Sequence, residues 1–181
     1  MHFLKECIKL RTKNNYDLDC ILNCDETPVN LDNPYQYTLS IKGTKIVTIK
    51  TFGKERNRIS CLLSISASGD KLKPFIVFKG QKNKNEFHKI KEIKEIKENT
   101  IIGVTQSNAW VDEETIIIYI KTVLKEYKPG KKKLLILVLC TSHFTDKVLN
   151  TLIDYNIDYL FIPKKLTCIL QPLDRCINFS F

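Results

Sequence analysis

The chain has 181 residues, 43% of them hydrophobic, and its 29 Lys and Arg outnumber 20 Asp and Glu for a net charge of +9. That length suits one domain with its own hydrophobic core, and the cationic excess favours a polyanionic partner, nucleic acid first. No apolar run approaches the ~18 residues of a membrane span, and the opening "MHFLKECIKLRTKNN" is broken by charges as a secretory leader would not be, so the expectation is no membrane and a cytosolic or nuclear location.

The seven cysteines are odd in number, form no CxxC pair and fall largely in apolar runs. Free thiols in a reducing compartment are expected, not a disulfide frame or a zinc site. Cys20 and Cys24, four apart, read as sharing one face of a strand.

In chain order, Phe3, Leu4 and Ile8 fall on one face of a short N-terminal helix, and residues 1–18 are taken as a helical segment ahead of a single domain over 19–181. "YDLDCILNC" predicts an apolar strand that delivers Asp25 at its end. "DETPVNLDNPYQYTLS", with two prolines, predicts a loop. "KIVTIKTFG" and "RISCLLSISASG" predict two strands joined by a turn at "GKERN", and "FIVFKG" a third, bounded by Pro74 and Gly80. "KNKNEFHKIKEIKEIKENT" is the one low-complexity piece, a solvated helix or a basic loop.

"IIGVTQSNAW" predicts a strand and exit loop, with Trp110 packed in the core. "VDEETIIIYIKTVLKEYKPG" predicts one helix, acidic at its start, with an apolar stripe at Ile116, Ile120, Val123, Leu124 and Tyr127. "KKKLLILVLC" predicts a strand buried on both faces, "TDKVLNTLIDYN" a helix capped by Thr145, and "IDYLFIP" another buried strand. "LTCILQPLDRCINFSF" predicts a loop and the start of a helix. Antiparallel strands followed by βαβ units imply an α/β fold, a mixed sheet flanked by helices in the order of a ribonuclease-H-like core.

Ligands in such sheets gather at the carboxyl ends of central strands. Asp25 and Glu26 lie at one such end, Asp174 lies in the last loop, and "LLILVL" should run beside the first strand. Carboxylates converging there offer the hard oxygens that Mg²⁺ or Mn²⁺ requires for phosphodiester chemistry. Spacing alone leaves the turn-forming reading of a strand-end Asp open.

The stretches "LNCDETP", "KGTKIVTI", "ERNRISCLLSISASGDKLKPFIVFKG", "SNAW", "LLILVLCTSH" and "IPKKLTCILQPLDRCIN" together resemble the DDE superfamily endonuclease domain of pogo/Tigger-type transposases, with jerky and centromere-protein-B-like relatives. The resemblance runs in order from about Asp19 to Asn178. It implies three carboxylates that cut and join DNA with Mg²⁺ or Mn²⁺, a DNA partner and a nuclear location. Asp25 in "CDET" matches the first catalytic and metal-binding carboxylate, and Asp174 in "QPLD" matches the third. Val138 stands at the second ligand position, and His143 where the family has its histidine.

A valine offers no lone pair, so impaired catalysis is expected. Two alternatives stay open: a non-catalytic DNA- or protein-binding module on the same fold, or a decayed transposon fragment without a selected role. The family's N-terminal helix-turn-helix has no counterpart here and its last helix is cut short, so both ends read as truncated; oligomeric state is open. Glu26 and His143 are possible accessories, although Glu26 should face the opposite side of its strand and His143 also reads as a capping or core residue. Asp146 reads as a first-turn helix residue and Asp174 also as a helix cap. The basic residues at 54–58, 82–97 and 131–133 read either as a phosphate-binding surface or as solvated charge.

Overall fold

A computed structural model describes residues 2–30, 39–46, 58–80, 88–89, 102–138, 145–163 and 166–178. Strands β1 (Ile21–Asn30), β2 (Arg58–Ser66), β3 (Phe75–Lys79), β4 (His88–Lys89), β5 (Ile102–Gln106), β6 (Lys133–Val138) and β7 (Ile157–Ile162) form one mixed sheet in the order β4-β5-β3-β2-β1-β6-β7. β1 pairs antiparallel with β2 and parallel with β6, and β6 pairs parallel with β7. Helices α1 (His2–Asn14), α2 (Glu113–Tyr119), α3 (Asp146–Asp154), α4 (Thr167–Leu170) and α5 (Pro172–Cys176) complete the described fold.

The two faces of β1 divide the molecule. Leu22 and Cys24 join Leu62, Phe75, Leu135 and Leu137 in the main core, which Ile116, Tyr119, Val148 and Leu152 of α2 and α3 cover. Asn23 and Asp25 alternate onto the other face, where Gln171, just ahead of α5, is hydrogen-bonded to Asn23.

β1 runs past the end expected from sequence. In place of a loop from Asp25 onward, the strand continues through Pro28 and pairs with β2 as far as Asn30 opposite Arg58. Its ladder with β6 stops at Cys24 opposite Leu137. Among the described residues β1 is paired on one side only beyond that point, and a proline on a one-sided stretch deprives no central ladder of a donor. Cys20 falls in a 3₁₀ turn (Leu18–Cys20) before β1, so it does not share a strand face with Cys24.

The helix expected over 111–130 is shorter as an α-helix. Asp112 caps it by accepting from the Thr115 N–H at 2.9 Å, and Glu113 and Glu114 fill the first turn. After Tyr119 the chain widens into a π turn (Ile120–Leu124), with the Lys125 N–H reaching Ile120 O at 2.9 Å. The Thr122 hydroxyl takes up the Ile118 carbonyl at 2.7 Å, which eases the shift, and the wider turn keeps Ile120, Val123 and Leu124 all buried.

Thr145 caps α3 as expected, accepting from Val148 N–H at 3.3 Å, and Asp146 sits exposed in the first turn. β7 is an edge strand with only Ile157 and Ile162 buried, less enclosed than its composition suggested. The last segment is already helical over α4, where a loop was expected, and α5 follows as the expected start of a helix. Residues 47–53 of the strand expected over 45–53, the "GKERN" turn and most of the Ile-Lys-Glu repeat lie outside the described residues, apart from β4. Among the described residues, no helix is long and apolar enough to cross a membrane.

Candidate active site

The site is assembled by one buried amide. Gln171 is fully buried: its Nε2–H donates to the Cys24 carbonyl at 3.2 Å and its Oε1 accepts from Asn23 Nδ2 at 2.7 Å. Asn23 Nδ2 also donates to Ile136 O at 3.0 Å. These bonds tie the start of α5 to β1 and β6 together. Pro172 follows at the first helical position, where a missing N–H costs nothing, and Asp174 lies in that first turn.

Asp25 and Asp174 therefore meet. Asn178 Nδ2 donates to Asp25 Oδ2 at 2.7 Å and to Asp174 Oδ1 at 3.2 Å. The Asp25 carboxyl is mostly buried and Asp174 is exposed. Burial first, then the hydrogen bond and charge of Asp174, push Asp25 up to about 7, against the pull of the Gln171 amide and the Glu26 backbone N–H. Two acids that share one amide, with Asp174 disfavouring the charge of Asp25, form a site short of positive charge.

Val138 closes β6 on the same face. Leu137 pairs with Cys24, so the register carries Val138 alongside Asp25, and strand alternation turns both toward α5. Glu26 faces the other way: it pairs across from the core residue Leu62. Burial raises its pKa, countered by a Ser60 hydrogen bond and the charge of Arg58. His143 lies outside the described residues.

Trp110 is a correction: it is not core but 61% exposed, with the Arg58 guanidinium 4.9 Å above its ring. Ala109 takes a left-handed φ of 54° and is itself fully buried, so the turn spends its inward position on the alanine and turns the indole out. The lysines at 131–133 do not offer an open anion surface. Lys131 pairs with Asp17 at 2.8 Å, Lys132 with Asp158 at 2.9 Å, and Lys133 is buried, its ammonium pushed down by that burial.

The other clustered acids, Asp17 and Asp19 beside Cys20, are already neutralised: Lys131 holds Asp17, and Lys128 lies 3.1 Å from Asp19. The Asp25–Asp174 pair suits a hard divalent cation better, because its donors are carboxylate oxygens with a shared unmet charge. Gln171 and Asn178 carry the geometry but received no role from sequence. Asn178 was within reach, since it stands four residues on from Asp174, the spacing that would share a face if the helix ran on.

A mixed sheet with an acid pair bridging its central strand and a following helix defines a ribonuclease-H-like fold. Solved structures share it: "Mos1 transposase paired-end complex with left transposon end" superposes with a TM-score of 0.58 over 99% of this chain and 45% of that one, at 13% identity. "Crystal structure of a pre-cleavage Mos1 transpososome" gives 0.51 over 90% and 42%, also at 13% identity. The "DDE superfamily endonuclease" family matches residues 56–181, and the chain belongs to that family. It is 30% identical over 176 residues to "Pogo transposable element with KRAB domain" of Homo sapiens and 29% identical to that of Mus musculus. It spans 27% of the length of each of these relatives.

Proposed function

We propose that this chain is a transposase-derived DDE endonuclease domain that binds DNA in the nucleus and holds Mg²⁺ or Mn²⁺ weakly through Asp25 and Asp174. The convergence of those two side chains on one Asn178 amide supports this reading. Bound there, a divalent cation would supply Lewis acidity toward a phosphodiester oxygen. Asp25 and Asp174 would hold it, while Gln171 keeps their two elements in register.

Cleavage is impaired in this reading because Val138 occupies the place beside Asp25 where a further oxygen ligand belongs. A divalent ion of this kind takes about six oxygens. Loss of one well-placed electrostatic contact costs on the order of 10²- to 10³-fold in rate. The test is nicking of supercoiled DNA with Mg²⁺ and with Mn²⁺. The chain should give none with Mg²⁺ and at most traces with Mn²⁺, and Val138→Asp should tighten Mn²⁺ binding in a calorimetric titration. Robust Mg²⁺-dependent nicking that Asp25→Ala abolishes would overturn the impairment.

The same valine favours a second reading, a non-catalytic DNA-binding module on the inherited fold. Val138→Asp separates the two: an impaired enzyme regains Mn²⁺ affinity, whereas a module whose acid pair no longer binds metal does not respond.

A further inference from the structure

Asn178 has one satisfied edge and one orphaned edge. Its Nδ2 bridges Asp25 and Asp174, while its Oδ1 is buried with no hydrogen-bond partner among the described residues. An unpartnered buried carbonyl is costly, and proteins seldom retain one without a use. The amide nitrogen lies between two carboxylates, the position a cation would take, and its hydrogens stand in for that charge.

A primary amide carries a donor edge and an acceptor edge of nearly the same size. A half-turn about its terminal bond exchanges them without moving the backbone, and that torsion is soft in asparagine. A cation between the carboxylates would repel the NH₂ hydrogens and attract a carbonyl oxygen, a ligand of the hardness that Mg²⁺ and Mn²⁺ prefer. We propose that Asn178 is a third protein ligand of the Asp25–Asp174 cation: its NH₂ bridges the carboxylates in the metal-free fold, and its amide turns over on metal binding to present Oδ1. This rests on the metal-site reading above, and it supplies one oxygen to a site that Val138 leaves short.

The neighbouring amides are not equivalent. Gln171 is engaged at both ends, by Cys24 O and by Asn23 Nδ2. Asn23 also has an Oδ1 without a partner among the described residues, but its Nδ2 is held by Ile136 O and Gln171 rather than by the acid pair. Turning Asn23 over would break two bonds to groups that a cation does not replace.

The experiment is calorimetric titration of the full chain with MnCl₂, with thermal melting in chelator to confirm that each variant is folded. Asp25→Ala should abolish binding. Asn178→Ala should weaken it by about tenfold or more, the scale of losing a group that fixes a metal site. Asn178→Asp, which keeps the shape and guarantees an oxygen at that place, should tighten it. Unchanged or tighter binding by Asn178→Ala, with Asp25→Ala still silent, would make the amide a mere competitor and overturn this assignment while leaving the metal site intact. Should Asn178→Ala fail to melt cooperatively, Asn178→Asp decides, and binding no tighter than that of the unsubstituted chain overturns the assignment. Mn²⁺ heat that is absent, or indifferent to Asp25→Ala, would instead remove the metal site itself.

Discussion

Asp25 is stable in this fold as a protonated acid more than as a carboxylate. Its ordinary value of 3.8 rises to about 7 because burial and Asp174 both oppose its charge. A carboxyl raised on folding binds its proton more tightly in the folded state. Its contribution to stability is therefore fully present below about pH 4 and is lost as pH climbs toward 7. A divalent cation reverses the preference by binding the ionised form. We therefore expect the metal-free melting temperature to fall between pH 5 and pH 7.5, and the rise produced by excess Mn²⁺ to be small at pH 5 and larger at pH 7.5. Asp25→Asn should flatten both trends in the same melting experiment. A metal-induced rise that is equal at both pH values would place the cation elsewhere.

At the scale of elements, Gln171 decides whether α5 stays on the sheet. Removing its side chain leaves the Cys24 carbonyl and one Asn23 donor contact unmet in a buried place, and it opens a void. Unmet buried polar groups cost about 1–3 kcal/mol each and a void adds to that. Gln171→Ala should therefore cost about 2–4 kcal/mol in urea unfolding, and it should weaken Mn²⁺ binding although Gln171 is not a ligand. A stability loss with unchanged metal affinity would show that α5 docks without the clamp. The same element shows what a single sequence exposes. Strand and helix identity was legible where periodicity was strong, as in β2, β6 and α3, and the Asp25 and Asp174 motifs could be quoted directly. The continuation of β1 through Pro28 was not legible, because proline argues against a strand until one knows that the β1–β6 ladder ends at Cys24. Trp110 misled for a related reason: a left-handed Ala109 swaps which of two neighbours faces inward, and φ at an alanine leaves no trace in composition. Gln171 and Asn178 were invisible as actors because neutral amides give no charge or periodicity signal; only their partners reveal them.

Across the whole molecule, the proposed DNA binding draws, among the described residues, on the cations at the carboxyl end of β1. Arg58 opens β2 opposite Asn30, and the β2–β3 register brings the exposed Lys79 to the same sheet edge. Asn30 is five residues beyond Asp25, about 16 Å along the strand, close enough for one duplex to reach both. The exposed Trp110 ring under Arg58 adds a flat surface at that edge. Cations at strand ends meet phosphates rather than base edges, so in this reading phosphate contacts should dominate. Such binding releases counterions and weakens steeply with salt, by a slope near 0.9 per phosphate neutralised. We expect unrelated duplexes to compete nearly equally at physiological salt. We also expect Arg58→Ala and Lys79→Ala each to reduce the slope of log K against log salt by about 1. Lys132→Ala should leave that slope unchanged, because Lys132 is already paired with Asp158 at 2.9 Å and lies at the opposite end of the sheet. Fluorescence anisotropy over a salt series measures all three. A salt-independent affinity, or equal effects from Lys132 and Arg58, would move the DNA surface away from the carboxyl edge and separate it from the acid pair.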